Sequence, residues 1–193
     1  GLTGVFLWYL VRFWVYGKAV VLTSAPLTIP AGFLIAGMAV ATLIGAALAS
    51  WAAGPISERI EEKNIPVARV VAGACLLYAI GLGLAWGLGV WSTGTARENG
   101  MLLFALISGF AFGIYDSLGL ELVMDSLPDP RRAGHDLGIY ALANSAGLAL
   151  AAIIGALLVN AFEHSFGYYL LFPSAIVMVL LAGIVTLTTK SAE

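Results

Sequence analysis

Arg12 lies in the middle of an apolar run, Leu2 to Leu22, and Asp116 lies near the middle of another, Met101 to Met124. Each run is long enough to cross a bilayer, since ~20 helical residues cover a hydrocarbon core of ~30 Å. An ionisable group at that depth costs a few kcal/mol or more, and it is rarely placed there without a cavity, a partner or a task. Arg12 can bind an anionic or polyhydroxyl ligand, or hold a carboxylate ionised. Asp116 can be that carboxylate, a proton carrier, or an acceptor for ligand hydroxyls. The plainer alternatives are a fixed structural ion pair and two charges that face separate cavities.

Other residues extend this set. The fourth run centres near residue 113, which puts Asp116 ~4.5 Å and Glu121 ~12 Å from its middle. Glu121 shares a helix face with Asp125, four residues on. It titrates, makes a gate contact with another helix, or is simply reached by water. Asn144 lies ~6 Å from the middle of Leu137 to Val159 and bonds either a ligand or a neighbouring helix. Tyr115, beside Asp116, lines a cavity or packs.

His135 and His164 flank different runs on opposite sides and cannot share a metal. The lone Cys75 allows no disulfide or cysteine metal site within the chain. No nucleophile and base fall at one depth, so an intramembrane hydrolase lacks its pair. There is no Walker-type phosphate loop and no TVGYG filter sequence. The expectation is a protein that is not an enzyme, with no catalytic residue, metal or cofactor.

The elements that must position these residues are legible from composition. The 193 residues are 61% hydrophobic and 10% charged, against ~25% charged in a soluble domain. Six segments qualify as membrane spans: Leu2 to Leu22, Pro30 to Ala53, Val67 to Val90, Met101 to Met124, Leu137 to Val159 and Tyr168 to Thr188. Without water to satisfy open backbone groups, they must be helices. Arg59, Lys63, Arg69, Arg131, Arg132 and Lys190 fall on one side, with Arg97 on the other and Lys18 near the outer end of the first span. Basic loops favour the cytoplasm, so the first side is expected inside, with the C-terminal tail. Trp91, Phe162, Phe166, Tyr168 and Tyr169 gather at the opposite edge, where amphipathic rings sit well. No basic stripe points to nucleic acid.

Small residues recur every fourth position at Gly37, Ala41, Gly45, Ala49 and Ala53, and again at Ala143, Gly147, Ala151 and Gly155. Gly83 and Gly87 repeat the spacing. Such rows let helix backbones approach closely. The two longer rows fall in the second of the first three segments and the second of the last three, which hints at two related triplets. The start at Gly1, at the edge of an apolar segment and without a charged leader, predicts a piece of a longer protein.

Two stretches carry a family resemblance. Gly54-Pro55-Ile56-Ser57-Glu58-Arg59-Ile60-Glu61-Glu62-Lys63 is similar to a loop pattern of the major facilitator superfamily: Gly, three residues, an acid, Arg, any residue, Gly and two bases. Gly54, Glu58, Arg59 and Lys63 match, while Glu61 replaces the Gly and Glu62 a base. Leu127-Pro128 through Gly134 to Asp136-Leu137-Gly138 resembles the loop of a bacterial subgroup, often of the sugar-transporter type. Asp125 holds the acidic position before that Leu-Pro. Gly119 stands where the subgroup often has an acid, with Asp116 and Glu121 nearby instead.

The resemblance implies an all-α membrane protein in which residues 1–193 form the C-terminal six-helix half of the superfamily fold, built from two three-helix repeats. The N-terminal half would lie outside the chain. The first and fourth segments would line the cavity, the second and fifth would face the other half, and the third and sixth would support from outside. Arg12, Tyr115, Asp116, Glu121 and Asn144 would then belong to the substrate and proton pathway. Gly54, Glu58, Arg59, Asp125 and Asp136 would form a cytoplasmic gate.

The implied activity is secondary transport by alternating access in the cell membrane, with proton-coupled uptake of a sugar-like or polar solute as the first expectation. Carboxylates at membrane depth suit proton coupling. Proton-driven drug export is the alternative, kept open by Trp8, Phe13 and Trp14. A membrane assembly subunit without transport is another. The expected partners are a small solute, protons, the lipid bilayer and the missing half, with no nucleic acid.

Overall fold

A computed structural model of the chain describes residues 11, 29–91, 95–125, 133–161 and 164–188. They form five helices: α1 (Ile29–Glu62), α2 (Val67–Trp91), α3 (Thr95–Asp125), α4 (Ala133–Ala161) and α5 (His164–Thr188). No strand occurs among the described residues. By length and composition all five can cross a membrane, so the expected all-α membrane architecture holds for this part of the chain. They correspond to the second to sixth segments. The first segment lies outside the described residues, apart from Val11, whose side chain is fully buried in the core.

Helix α1 is longer than its apolar run predicts, because it continues through Pro55 to Glu62. Proline removes an N–H and its ring crowds the carbonyl four residues back. Here Trp51 and Pro55 are both exposed, and the freed carbonyl can turn to interfacial water. The stretch from Gly54 to Glu62 is therefore helix rather than the expected loop.

The turn after it is tight. Asn64 adopts a left-handed φ of 49°. The Ile65 N–H donates to the Ile60 carbonyl at 3.0 Å, and the Asn64 N–H donates to the Glu61 carbonyl at 3.3 Å. This is a Schellman ending, which satisfies carbonyls that the last turn leaves open. Pro66 then stops any continuation, and its carbonyl accepts from the Arg69 N–H at 2.9 Å to start α2.

The helices pack α1 on α3, α3 on α2, α2 on α5 and, more lightly, α5 on α4. Gly37 meets Leu102, Gly45 meets Leu106 and Phe110, and Gly113 meets Ala49. These contacts advance together, so α1 and α3 run parallel. Gly81 meets Ile107 and Gly100 meets Leu88, so α2 runs antiparallel to both. The same reading applied to Gly183 against Cys75 and Ala72, with Leu187 near Arg69, makes α2 and α5 antiparallel. Arg59, Lys63 and Arg69 thus share one end of the bundle with the ends of α3 and α5, while Arg97 is at the other. The loop assignment from basic residues agrees with this geometry. Arg131, Arg132, Lys190 and Lys18 lie outside the described residues.

Lipid tails give helices no hydrophobic drive to associate, so close packing must supply it. At Gly109 the direction of a Cβ is filled by the Thr42 carbonyl oxygen, with Thr42 Cα at 2.8 Å. At Gly45 it is filled by the Leu106 carbonyl oxygen, with Phe110 N at 2.7 Å. Each glycine Cα–H therefore faces a carbonyl of the other helix, the geometry of a weak C–H···O contact. The side-chain core continues at both ends. Leu34, Met38, Leu82, Met101, Phe104, Leu171 and Phe172 form the larger cluster. Ala49, Ile60, Val71, Ala74, Ile114 and Leu118 form the smaller one, at the end with the basic residues.

The small-residue rows meet different fates. The α1 row makes the close backbone approach that its spacing predicts, with Gly45 and Ala49 against α3, while α1 exposes Phe33, Leu43 and Trp51. Gly83 has nothing within 4 Å of a Cβ, and Gly87 meets only Trp91 of its own helix. The α4 row behaves differently again: Ala143 and Gly147 are exposed, and only Gly155 is buried. The two longer rows are thus not equivalent.

Gly109→Leu is expected to lose ~2–3 kcal/mol or more of folding free energy by overpacking, whereas Gly147→Ala is expected to be neutral or to gain up to ~1 kcal/mol. Unfolding by SDS titration in mixed micelles measures both. At the α1 terminus, Asn64→Gly should keep or raise stability, and Asn64→Val should cost ~1–2 kcal/mol, because a β-branched residue resists positive φ. The same titration reads that difference.

Candidate functional site

The candidate site is built on the face of α3 that the helix packing leaves open. Ala111, Ile114 and Leu118 turn inward and are buried. Phe112, Tyr115 and Asp116 are exposed, and Gly119 continues their line with open space over its Cα. Spacings of three and four residues put these on one helix face. Asp116 therefore stands on an open stripe, as the one charge between Glu98 and Glu121 of this helix. That stripe is where a costly charge at membrane depth can be solvated or partnered. Because α3 begins at Thr95 rather than Met101, Asp116 lies about six residues, or ~9 Å, from the helix midpoint. It is closer to the end with the basic residues than the apolar run alone indicates.

Beside this stripe is a cavity of ≈ 210 Å³ between α2, α3 and α5. Cys75 and Tyr78 of α2, Phe112 and Tyr115 of α3, and Val179 and Ala182 of α5 wall it. The volume is several times the ~30 Å³ share of one water, and below the ~300 Å³ lower end of drug-sized sites. It suits a small solute or one part of a larger one. The wall is mainly apolar and aromatic, with phenol hydroxyls as its polar points. Tyr115 lines the cavity and is the chain neighbour of Asp116, which joins the cavity to the acidic stripe.

Three aromatic rings hold the wall in place. Tyr78 and Phe104 meet edge to face with centroids 6.1 Å apart, and Phe104 meets Phe172 likewise at 6.5 Å. The ladder ties α2, α3 and α5 together beneath the cavity, and such pairs add ~0.5–1.5 kcal/mol beyond area burial.

Tyr115 and Asp116 are thus brought together with a cavity. Glu121 is on the same helix one turn and more beyond, and Asn144 is on α4, which packs mainly on α5; their side chains lie outside the described set. Arg12 lies outside the described residues altogether, and so does any contact between it and Asp116. Of the expected gate residues, Gly54, Glu58 and Arg59 are exposed on the last turns of α1. Asp125 closes α3 and Asp136 belongs to the first turn of α4, with side chains outside the described set. All five positions fall at one end of the bundle. No ion pair joins Glu58 or Arg59 to another described residue.

Sequence reasoning passed over Tyr78 and Phe112, and weighed Cys75 only as a disulfide or metal ligand. Cys75–Tyr78 and Phe112–Tyr115 each have three-residue spacing, which marks a shared helix face. Which faces meet is a tertiary fact, and spacing along one helix does not contain it. The pair Gly109 and Gly113 was also readable, as a four-residue small repeat on α3.

Five apolar helices around a tight core, with an acid on an open face at membrane depth, define a membrane-embedded helical bundle. No family model, curated protein or solved structure matches the chain.

Because Tyr115 and Asp116 are exposed, Tyr115→Phe and Asp116→Asn are expected to change folding free energy by no more than ~0.5 kcal/mol. Phe104→Ala, in the ladder, should cost ~3–5 kcal/mol. Thermal and SDS unfolding of the three variants tests this division between site and scaffold.

Proposed function

We propose that this chain is the C-terminal half of a major facilitator superfamily transporter, moving a small polar or sugar-like solute with a proton by alternating access. The carrying observation is Asp116, exposed on the open face of α3 next to the Tyr115 cavity. A carboxylate so placed can take a proton or accept ligand hydroxyls, and ionisable groups at membrane depth mark proton relays and substrate paths.

The helix contacts divide on two related triplets, since the α5–α4 contact has no counterpart of similar weight between α1 and α2. An exchange of the first three segments for the last three maps the third–sixth contact, α2 on α5, onto itself. It also maps the α2–α3 contact onto one between the first segment and α5. Val11 belongs to the same core cluster as Leu171 and Phe172. In this reading Asp116 takes over, one turn earlier on the same face, the place where related sequences often carry an acid at the position of Gly119.

The aromatic lining by Tyr78, Phe112 and Tyr115 favours a second reading, proton-driven export of hydrophobic compounds. Apolar, aromatic pockets suit such ligands better than hexoses.

The test is flux in proteoliposomes carrying the full-length protein, with an internal pH dye and two probe sets, a panel of hexoses and the lipophilic cation ethidium. Hexose-dependent proton entry supports uptake, and ethidium-dependent proton exchange supports export. Asp116→Asn should reduce coupled flux at least tenfold while the protein remains folded, and Asp116→Glu should restore part of it. Undiminished coupled flux in Asp116→Asn removes the role assigned to Asp116. Absence of flux with either probe set favours an assembly subunit.

A further inference from the structure

On the outer face of the bundle, between α2 and α5, lies a groove of ≈ 320 Å³. Arg69, Gly73 and Leu76 form one wall, and Gly183, Ile184 and Leu187 the other. Small residues make it. At Gly183 a Cβ would lie 3.3 Å from Cys75 Cβ, so the helices touch on the groove floor. At Gly73 a Cβ would meet nothing within 4 Å, so the wall is open there.

The ends of the groove differ. Leu76, Ile184 and Leu187 are bare hydrocarbon, all exposed. Arg69 is exposed in the first turn of α2, at the end of the bundle that also carries Arg59 and Lys63. Glu58, Glu61 and Glu62 are near in sequence, yet no ion pair joins Arg69 to any described residue. From Arg69 to Leu76 the groove descends ~10 Å along α2. A cation thus stands at one end of an apolar groove of ≈ 320 Å³.

We propose that this groove binds an anionic phospholipid, with the phosphate on the Arg69 guanidinium and one acyl chain laid between Gly73 and Ile184. Guanidinium matches phosphate geometry through paired N–H donors. Basic residues at the membrane surface attract anionic lipids. A free phosphate ion has no use for the apolar channel, and a zwitterionic lipid offers the same phosphate but brings an ammonium group that offsets its attraction to the arginine. The assignment rests on membrane embedding alone and stands apart from transport.

The experiment is native mass spectrometry of the full-length protein, equilibrated with equal amounts of phosphatidylglycerol and phosphatidylcholine of identical chains. Wild type is expected to retain phosphatidylglycerol about fivefold over phosphatidylcholine. Arg69→Gln should abolish the preference and Arg69→Lys should keep most of it. Gly73→Leu, at a position where a Cβ meets nothing within 4 Å, should lower retention of both lipids. Millimolar inorganic phosphate should displace neither. An unchanged preference in Arg69→Gln, undiminished lipid retention in Gly73→Leu, or displacement by inorganic phosphate each overturns the proposal. Coupled flux in Asp116→Asn reports on a different site, so the two hypotheses fail separately.

Discussion

The described bundle depends on the reciprocal approach of Gly45 and Gly109. Each glycine occupies the space beside a carbonyl of the facing helix, Leu106 in one direction and Thr42 in the other. In lipid, where apolar surface gains little by leaving its surroundings, backbone proximity is what makes two helices prefer each other. Thr42 is adapted to this closeness. Its hydroxyl donates to the Met38 carbonyl of its own helix at 2.9 Å and so presents no unsatisfied polar group. Gly113 against Ala49 continues the seam by one turn.

That seam decides where chemistry can occur on α3. A helix with one face pressed against α1, and another against α2, has a limited arc left. Phe112, Tyr115, Asp116 and Gly119 lie on that arc. A charge on the packed faces would have to be desolvated without a partner, at a cost that exceeds what close packing returns. A charge on the open arc keeps access to water, a ligand or another segment. The aromatic ladder Tyr78–Phe104–Phe172 then fixes the cavity wall at a constant distance from the arc.

The sequence made the helices legible and the pairing illegible. Apolar length alone located all five, and basic residues grouped their ends correctly, because both signals belong to single segments. Helix ends were misjudged where charge and proline persuade against helix, as at Pro55, since an interfacial helix can carry Glu58, Arg59 and Glu62 in water. Asp116 was found from its cost in hydrocarbon. Cys75, Tyr78 and Phe112 were not, since they are ordinary residues for an apolar helix and become a wall only when α2, α3 and α5 converge. The α1 row illustrates the same gap. Its spacing announced a close contact and gave no indication that α3, through Gly109 and Gly113, was the recipient.

The uneven packing also restricts how the bundle can move. Sliding α1 along α3 would drive the Thr42 carbonyl into the next residue that carries a Cβ, so these two helices must travel together. The ladder adds α2 and α5 to the same body. Helix α4 is different: among the described residues it packs on α5 and, through Ala151, Ile154, Leu158 and Val159, on the larger core cluster, while most of its first half is exposed. Among the described helices, the first half of α4 is therefore the stretch least tied to the glycine seam.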